Sequence, residues 1–320
     1  DVVDAFLIGA ESACRIGIVL GRDHYDAGFH QTATSGAFGA TIAASRLYQL
    51  DRAATRAALG LVSTRASGLK SQFGTMGKPY NAGIAAANAI EACALAQRGF
   101  TSAADGLGGP QGFVPTHQPQ YDDCDAILAG DALKMFMFAD VRHKLHACCH
   151  GTHAMIEATR DLIAKHDLLA QSLAGMTISV NPRWLKVCDI KKPLTGLEIK
   201  FSFVFLAAMV LHNIDTAAYR IYDDGLSADV GLAATAKKIT VLGDDSIADG
   251  AAVVSFETVT GAHHSTDFDL MAPIDIDVLG TRLVAKATAL IGAARAEKIW
   301  ANMAALDSLS ATEMTRYLRP

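Results

Sequence analysis

No stretch of this chain approaches the roughly 20 consecutive apolar residues that a membrane-spanning helix needs. The longest candidate, residues 201–211, is too short and contains Ser202. Charge is scarce as well: 19% of the 320 residues are Asp, Glu, Lys or Arg, and the net charge is -5. With no basic stripe, nucleic acid is excluded as the expected partner. A disulfide framework is missing too, because the six cysteines are irregularly spaced and two of them, Cys148 and Cys149, are adjacent. Neighbouring cysteines are badly placed to bridge each other, which fits a reducing cytoplasm. The chain has no phosphate-loop signature, no serine nucleophile elbow and no internal repeat. Residues 106–109 are glycine-rich, but no strand feeds them and no helix opens from them, so they are no dinucleotide loop. Asp1 leads straight into helix-like sequence without a signal-like region, so the expected location is cytoplasmic.

What the chain does have is small apolar residues. Hydrophobic content is 51%, much of it alanine inside helical patterns, which implies closely packed helices. At 320 residues the chain exceeds one average core, so two domains are expected. Residues 1–20 predict a helix with Phe6, Ala10, Ala13 and Gly17 on its apolar stripe, ended by Gly21 and followed by a polar loop. A second helix runs to about Leu50, with Gly36, Ala40 and Ala43 forming a ridge that another helix could approach closely. Asp51 caps a third, over residues 52–65. Residues 82–98 predict a helix buried nearly all round. Loop then fills 99–119, and a short helix is expected over 122–133. Beyond residue 170 the pattern changes: 176–180, 238–242 and 251–259 have the β-branched content of strands, with a helix over 203–212 between the first two. Residues 274–305 and 308–317 are helical again. The expected fold class is mainly α with a smaller inserted α+β lid. Its parts are a helical domain over 1–142, the lid over 143–272, and C-terminal helices over 273–320 that return to the helical domain.

The densest chemistry lies in residues 142–157, which hold four histidines, two cysteines, a lysine and an arginine. Gly151 breaks the chain before a helix that Thr152 could cap. Cations and unpaired backbone donors at such a helix start suit an anion, especially a carboxylate. A metal is the rival, since His146 and His150 are four apart and Cys148, Cys149 and His153 offer further ligand types. A third reading has these side chains simply packing and capping. Two other places draw attention. His30 stands before the second helix beside Thr32 and Thr34, where it could cap, pack or meet a ligand. Lys78 lies in a glycine-punctuated loop before Pro79, which disfavours helix at the lysine and predicts an extended backbone there. A lysine placed so suggests substrate binding.

Taken together, Gly28-Phe29-His30-Gln31-Thr32, Gly74-Thr75-Met76-Gly77-Lys78-Pro79, residues 98–101, Lys144-Leu145-His146-Ala147-Cys148-Cys149 with Thr152-His153, and Lys200-Phe201-Ser202 resemble the 2-methylcitrate dehydratase (MmgE/PrpD) family. Gly9-Ala10-Glu11 is similar to its pattern as well. The family includes 2-methylcitrate dehydratase, cis-aconitate decarboxylase and iminodisuccinate epimerase. The resemblance implies a large helical domain with an α+β lid, a homodimer, no metal or organic cofactor, and a small di- or tricarboxylate substrate. It implies a cleft between the domains, with His30, Lys78 and Lys144 as catalytic residues and Thr75, Cys149 and His153 contacting substrate. The shared chemistry is proton transfer at a carbon beside a carboxylate, with ammonium groups stabilising the developing charge. The sequence departs from the pattern at Ala147, where proline is usual, and at Val204 and Phe205, where proline and tyrosine are common. The given sequence lacks the family's aspartate-rich N-terminal motif, so the expectation is an N-terminally truncated or a divergent short homologue.

Overall fold

A computed structural model describes residues 1–118, 135–303 and 305–318, and the helix expected over 122–133 lies outside them. The chain divides into two compact units, Asp1–Val141 and Arg142–Pro320.

The first unit is helical: α1 (Val2–Asp26), α2 (Gln31–Leu47), α3 (Arg52–Ser63), α4 (Gly77–Gln97) and the short α5 (Phe113–His117). α1 packs on α2, and α2 and α3 pack on α4. The small-residue ridge is real but starts at Gly39 rather than Gly36, about one helical turn later. A methyl group on Gly9 would meet the Gly39 carbonyl oxygen at 2.7 Å and the Ala43 Cβ at 2.8 Å, so α1 and α2 cross backbone to backbone at Gly9 and Gly39. Gly36, the expected member, has no such neighbour. The buried stripe of α1 is likewise Ala5, Gly9, Ile16 and Leu20, whereas Phe6 is 58% exposed. Gly21 does not end the helix. Its positive φ of 65° makes a kink, after which residues 22–26 turn helically again. Phe38, Leu20, Val62, Cys93 and Phe113 fill the core, each large side chain contributing about 2 kcal/mol of burial. Asp51 caps α3 as expected, its carboxylate accepting from the Ala54 N–H at 2.8 Å.

The extended backbone expected at Lys78 is not found. α4 starts at Gly77 and carries Lys78 and Pro79 in its first turn. Proline is tolerated there, because the N–H it lacks would have no partner within the helix. Nor is α4 buried all round: Asn81, Ala85, Asn88, Ala92 and Cys93 face the core, while Tyr80 and Ile90 are exposed.

The second unit contains a four-stranded sheet. β1 (Leu173–Val180) is flanked by β2 (Ile239–Gly243) in parallel and β3 (Ala251–Thr258) antiparallel, and β4 (His263–Asp269) pairs antiparallel with β3 at the edge. The register sets Ile178 beside Val241 and Val254, and Phe256 beside His264. Alternation then turns Met176, Ile178, Val180, Val254 and Phe256 inward. Against β3 and β4 lies α6 (His153–His166), and α7 (Phe203–Leu211), buried along its whole length, packs on α6. α8 (Val230–Ala236) covers α7. The helical pattern expected over 274–305 is broken: Gly292, with φ at 83°, separates α9 (Ile276–Ile291) from α10 (Ala293–Met303), and α11 spans Ala311–Leu318. No described helix is long and apolar enough to cross a membrane.

Candidate functional site

In the first unit His30 is the residue before α2, in extended conformation, and its N–H bonds the Gly68 carbonyl at 2.9 Å. The Asn81 amide, buried on α4, donates to His30 Nδ1 at 3.1 Å. An imidazole whose Nδ1 accepts carries its hydrogen on Nε2. The ring stands edge-on to Phe73 at 5.0 Å, and the Lys78 ammonium lies 5.0 Å from the centroid of that same ring. One aromatic side chain thus brings His30 and Lys78 together. Thr75 is placed differently. Its hydroxyl donates to the Gln72 carbonyl at 2.8 Å and accepts from the Gly77 N–H at 3.1 Å, so it shapes the turn into α4.

In the second unit the 142–157 segment is irregular until a single 3-10 turn, His150–Thr152, opens into α6. Gly151 does not break the chain through an unusual φ. It is glycine because any Cβ there would enter the Trp184 indole. Thr152 stands at the cap position without capping. Its hydroxyl donates to the Cys149 carbonyl at 2.7 Å and lies 3.2 Å from the Cys148 sulfur. The Cys149 N–H bonds the Lys200 carbonyl at 3.0 Å, tying the segment to the turn before α7. Burial pushes the Cys148 thiol up to about 12, so it stays protonated and is no nucleophile at neutral pH.

His146 is 3% exposed and uses both ring nitrogens: Nε2 donates to Glu157 at 2.7 Å and Nδ1 accepts from the Thr216 hydroxyl at 2.7 Å. Burial lowers its pKa despite the adjacent carboxylate. Burial alone would raise Glu157, but hydrogen bonds from His146 and from Arg282, at 2.6 Å, bring it down to about 2. The consistent assignment is a neutral imidazole on an ionised carboxylate paired with Arg282. His153 is 1% exposed, with its ring 5.0 Å from that of His146 and 5.8 Å from that of His150. Its Nε2 is buried and has no hydrogen-bond partner among the described residues. Burial, with His146, His150, Lys144 and Lys286 nearby, lowers its pKa to about 2.

The metal reading of this segment fails on geometry. Both nitrogens of His146 are already engaged, so the set has lost one ligand. Among the described residues no group of three or more His, Cys, Asp or Glu side chains could hold an ion. The surroundings are instead cationic. Lys144 and Lys200 act on the Cys148 thiol, and Lys144 and Lys286 act on His153. Among the described residues none of these three lysines pairs with a carboxylate. Burial lowers the pKa of Lys200, whose ammonium lies 4.9 Å from the centroid of the Tyr222 ring. Glu157, Arg282 and Lys286 were not foreseen as site residues. Arg282 and Lys286 carried one signal, a four-residue spacing that puts both on one face of an otherwise apolar helix.

Residues 1–122 match the MmgE/PrpD N-terminal domain, and residues 146–267 match the MmgE/PrpD C-terminal domain. The chain belongs to the MmgE/PrpD family. Among the relatives of this MmgE/PrpD chain is a cis-aconitate decarboxylase of Aspergillus terreus, 32% identical over 175 residues, covering 52% of the chain and 35% of that protein. A cis-aconitate decarboxylase-like protein, oryM, of Aspergillus oryzae is 30% identical over 171 residues, covering 51% of the chain and 35% of its own length. The match therefore spans well under half the length of these relatives.

Proposed function

We propose that this MmgE/PrpD chain acts as a lyase on a small di- or tricarboxylate, by proton transfer at a carbon beside a carboxylate. The observation that supports this best is the set of three lysines, Lys144, Lys200 and Lys286, gathered about Cys148 and His153 without a paired carboxylate among the described residues. Ammonium groups in a partly buried place stabilise an anion that water would otherwise solvate, and stabilise further the charge that develops as a proton or carbon dioxide leaves. His30, Lys78 and Lys144 are the catalytic residues of this proposal, and Thr75, Cys149 and His153 the substrate-contacting ones. No cofactor is invoked. A cytoplasmic homodimer belongs to the same proposal, and sedimentation of the purified protein tests the dimer.

The names of the relatives make decarboxylation of cis-aconitate the first reaction to try, with dehydration of 2-methylcitrate and epimerisation of iminodisuccinate as alternatives. Carbon dioxide release, ultraviolet absorbance of the unsaturated product and chiral chromatography follow the three reactions. Absence of turnover of every di- and tricarboxylate offered would overturn the proposal. One observation favours a second reading, carboxylate binding without turnover. His153 has its pKa near 2 and His146 has both nitrogens engaged, so neither is poised to exchange a proton near neutral pH. Calorimetric binding of citrate without turnover of any of the three substrates would support that reading.

A further inference from the structure

The geometry points to Lys286 of α9 as a carboxylate-binding residue of the second unit, acting beside Lys144. This rests on the carboxylate reading above and deepens it, since Lys286 lies far along the chain from every motif that carries the family resemblance. The Lys286 ammonium donates to the main-chain carbonyl oxygen of Lys144, so the two lysines are held at one point of the chain. The Lys144 side chain is exposed and that of Lys286 half-buried, their like charges act on each other, and a fold that keeps them near has an anion to gain. Among the described residues the chain does not supply it. The buried carboxylate of this neighbourhood is Glu157, and it is engaged by His146 at 2.7 Å and by Arg282 at 2.6 Å. Arg282 precedes Lys286 by four residues on α9, so one face of that helix presents two cations. The first is paired with Glu157, and the second has no carboxylate partner among the described residues.

A second observation is independent of the lysines. His153 Nε2, on a side chain 1% exposed, has no partner among the described residues. Buried polar nitrogens are almost always hydrogen-bonded, so one left over in a place influenced by two ammonium groups fits a ligand atom, and in the tautomer with hydrogen on Nε2 it donates to an incoming oxygen. A neutral imidazole can donate there without adding a third positive charge. The class of ligand that suits two ammonium groups and one imidazole N–H is a carboxylate of a polyanionic acid. Burial and Lys144 both lower the pKa of Lys286, which a bound carboxylate would reverse.

Three substitutions at Lys286 separate ligand binding from a purely structural role, with citrate and cis-aconitate as probes in calorimetry at fixed ionic strength. Lys286→Gln keeps a donor for the Lys144 carbonyl but removes the charge, and should weaken both probes by about tenfold or more. Lys286→Met should weaken them equally, and Lys286→Arg should stay within about threefold of the parent. Lys237→Met, at the exposed residue that follows α8, is the control and should bind as the parent does. If Lys286→Gln binds as well as the parent while Lys286→Met does not, the side chain only braces the Lys144 backbone and the inference is overturned. Unchanged affinity in all three variants overturns it too. A parent protein that binds no polycarboxylate at all would instead remove the carboxylate reading, and this inference with it. Melting temperatures without ligand check folding, and protection of Lys286 from acetic anhydride by citrate, read by mass spectrometry, reports on the parent directly.

Discussion

In the first unit His24 lies flat on Phe29, with ring centroids 4.3 Å apart and planes 3° from parallel, stands edge-on to Phe113 and His117, and has its Nε2 3.0 Å from the Thr34 hydroxyl. In the second unit His146 is buried almost as deeply, yet it sits on an ionised carboxylate that also holds an arginine. Burial lowers the pKa of both rings. The consequences differ. His24 behaves as one more aromatic side chain in a unit whose helices are joined by shape, through Gly9, Gly39 and alanine. His146 is a link in a chain of polar groups, Thr216 to Glu157 to Arg282, in which each member fixes the charge state of the next. Sensitivity to pH should therefore concentrate in the second unit, and sensitivity to volume at the helix crossing of the first.

The sharpest test of that contrast is acid. The folded-state pKa of His153, about 2, lies below its ordinary value of 6.5. Its neutral form thus contributes stability that is complete above pH 6.5 and is lost as pH falls toward 2. Glu157, at about 2 against 4.5, adds a further loss that begins below pH 4.5. Between pH 7 and pH 4 the second unit should lose about 3 kcal/mol in urea unfolding, and His153→Gln should remove most of that slope. Equal pH dependence in parent and variant would break the comparison.

Next comes Glu157→Ala, which leaves His146 Nε2 without an acceptor and Arg282 without its partner. It should cost about 3 kcal/mol, the low end for a broken buried pair because the Arg282 side chain is 29% exposed. Gly39→Val should destabilise the first unit by about 2 kcal/mol with no change in pH dependence, because its methyl groups would enter the backbone of α1. Smallest is Asp51→Ala, which removes the cap of α3 for about 1 kcal/mol, read as a shift of the urea midpoint.

Much of the helical unit was legible because its signals are local: the Asp51 cap and the helix starting at Gln31 need only neighbouring residues. Three strands were legible from their β-branched content. β4 was not, since His263, His264, Ser265 and Asp267 have little of it and the strand is held by pairing with β3. Pro79 was misread as excluding helix because its position in the first turn depends on where the helix starts, which the sequence does not mark. At the candidate site His30, Thr75, Lys78, Lys144, Cys149 and His153 were named through motif resemblance, and their roles remain part of the proposal. Glu157 and Arg282 were missed because their meaning comes from a contact spanning 125 positions. Lys286 escaped for the same reason.

The order of the strands also sets the order in which this unit can assemble. β3 and β4 follow each other closely and are joined by a short turn, so their pairing closes a small loop. β2 joins β1 in parallel, and only after residues 181–238, with α7 and α8 among them, have been laid across. The hydrophobic α7 thus lies in the connection that must be folded before the sheet is complete. During synthesis β1 emerges long before its parallel partner, and α7 leaves the ribosome ahead of the strands that complete the sheet. We expect pulse-labelled hydrogen exchange to protect the β3–β4 amides first and those shared by β1 and β2 last. Simultaneous protection would mean that the whole crossover docks in a single step.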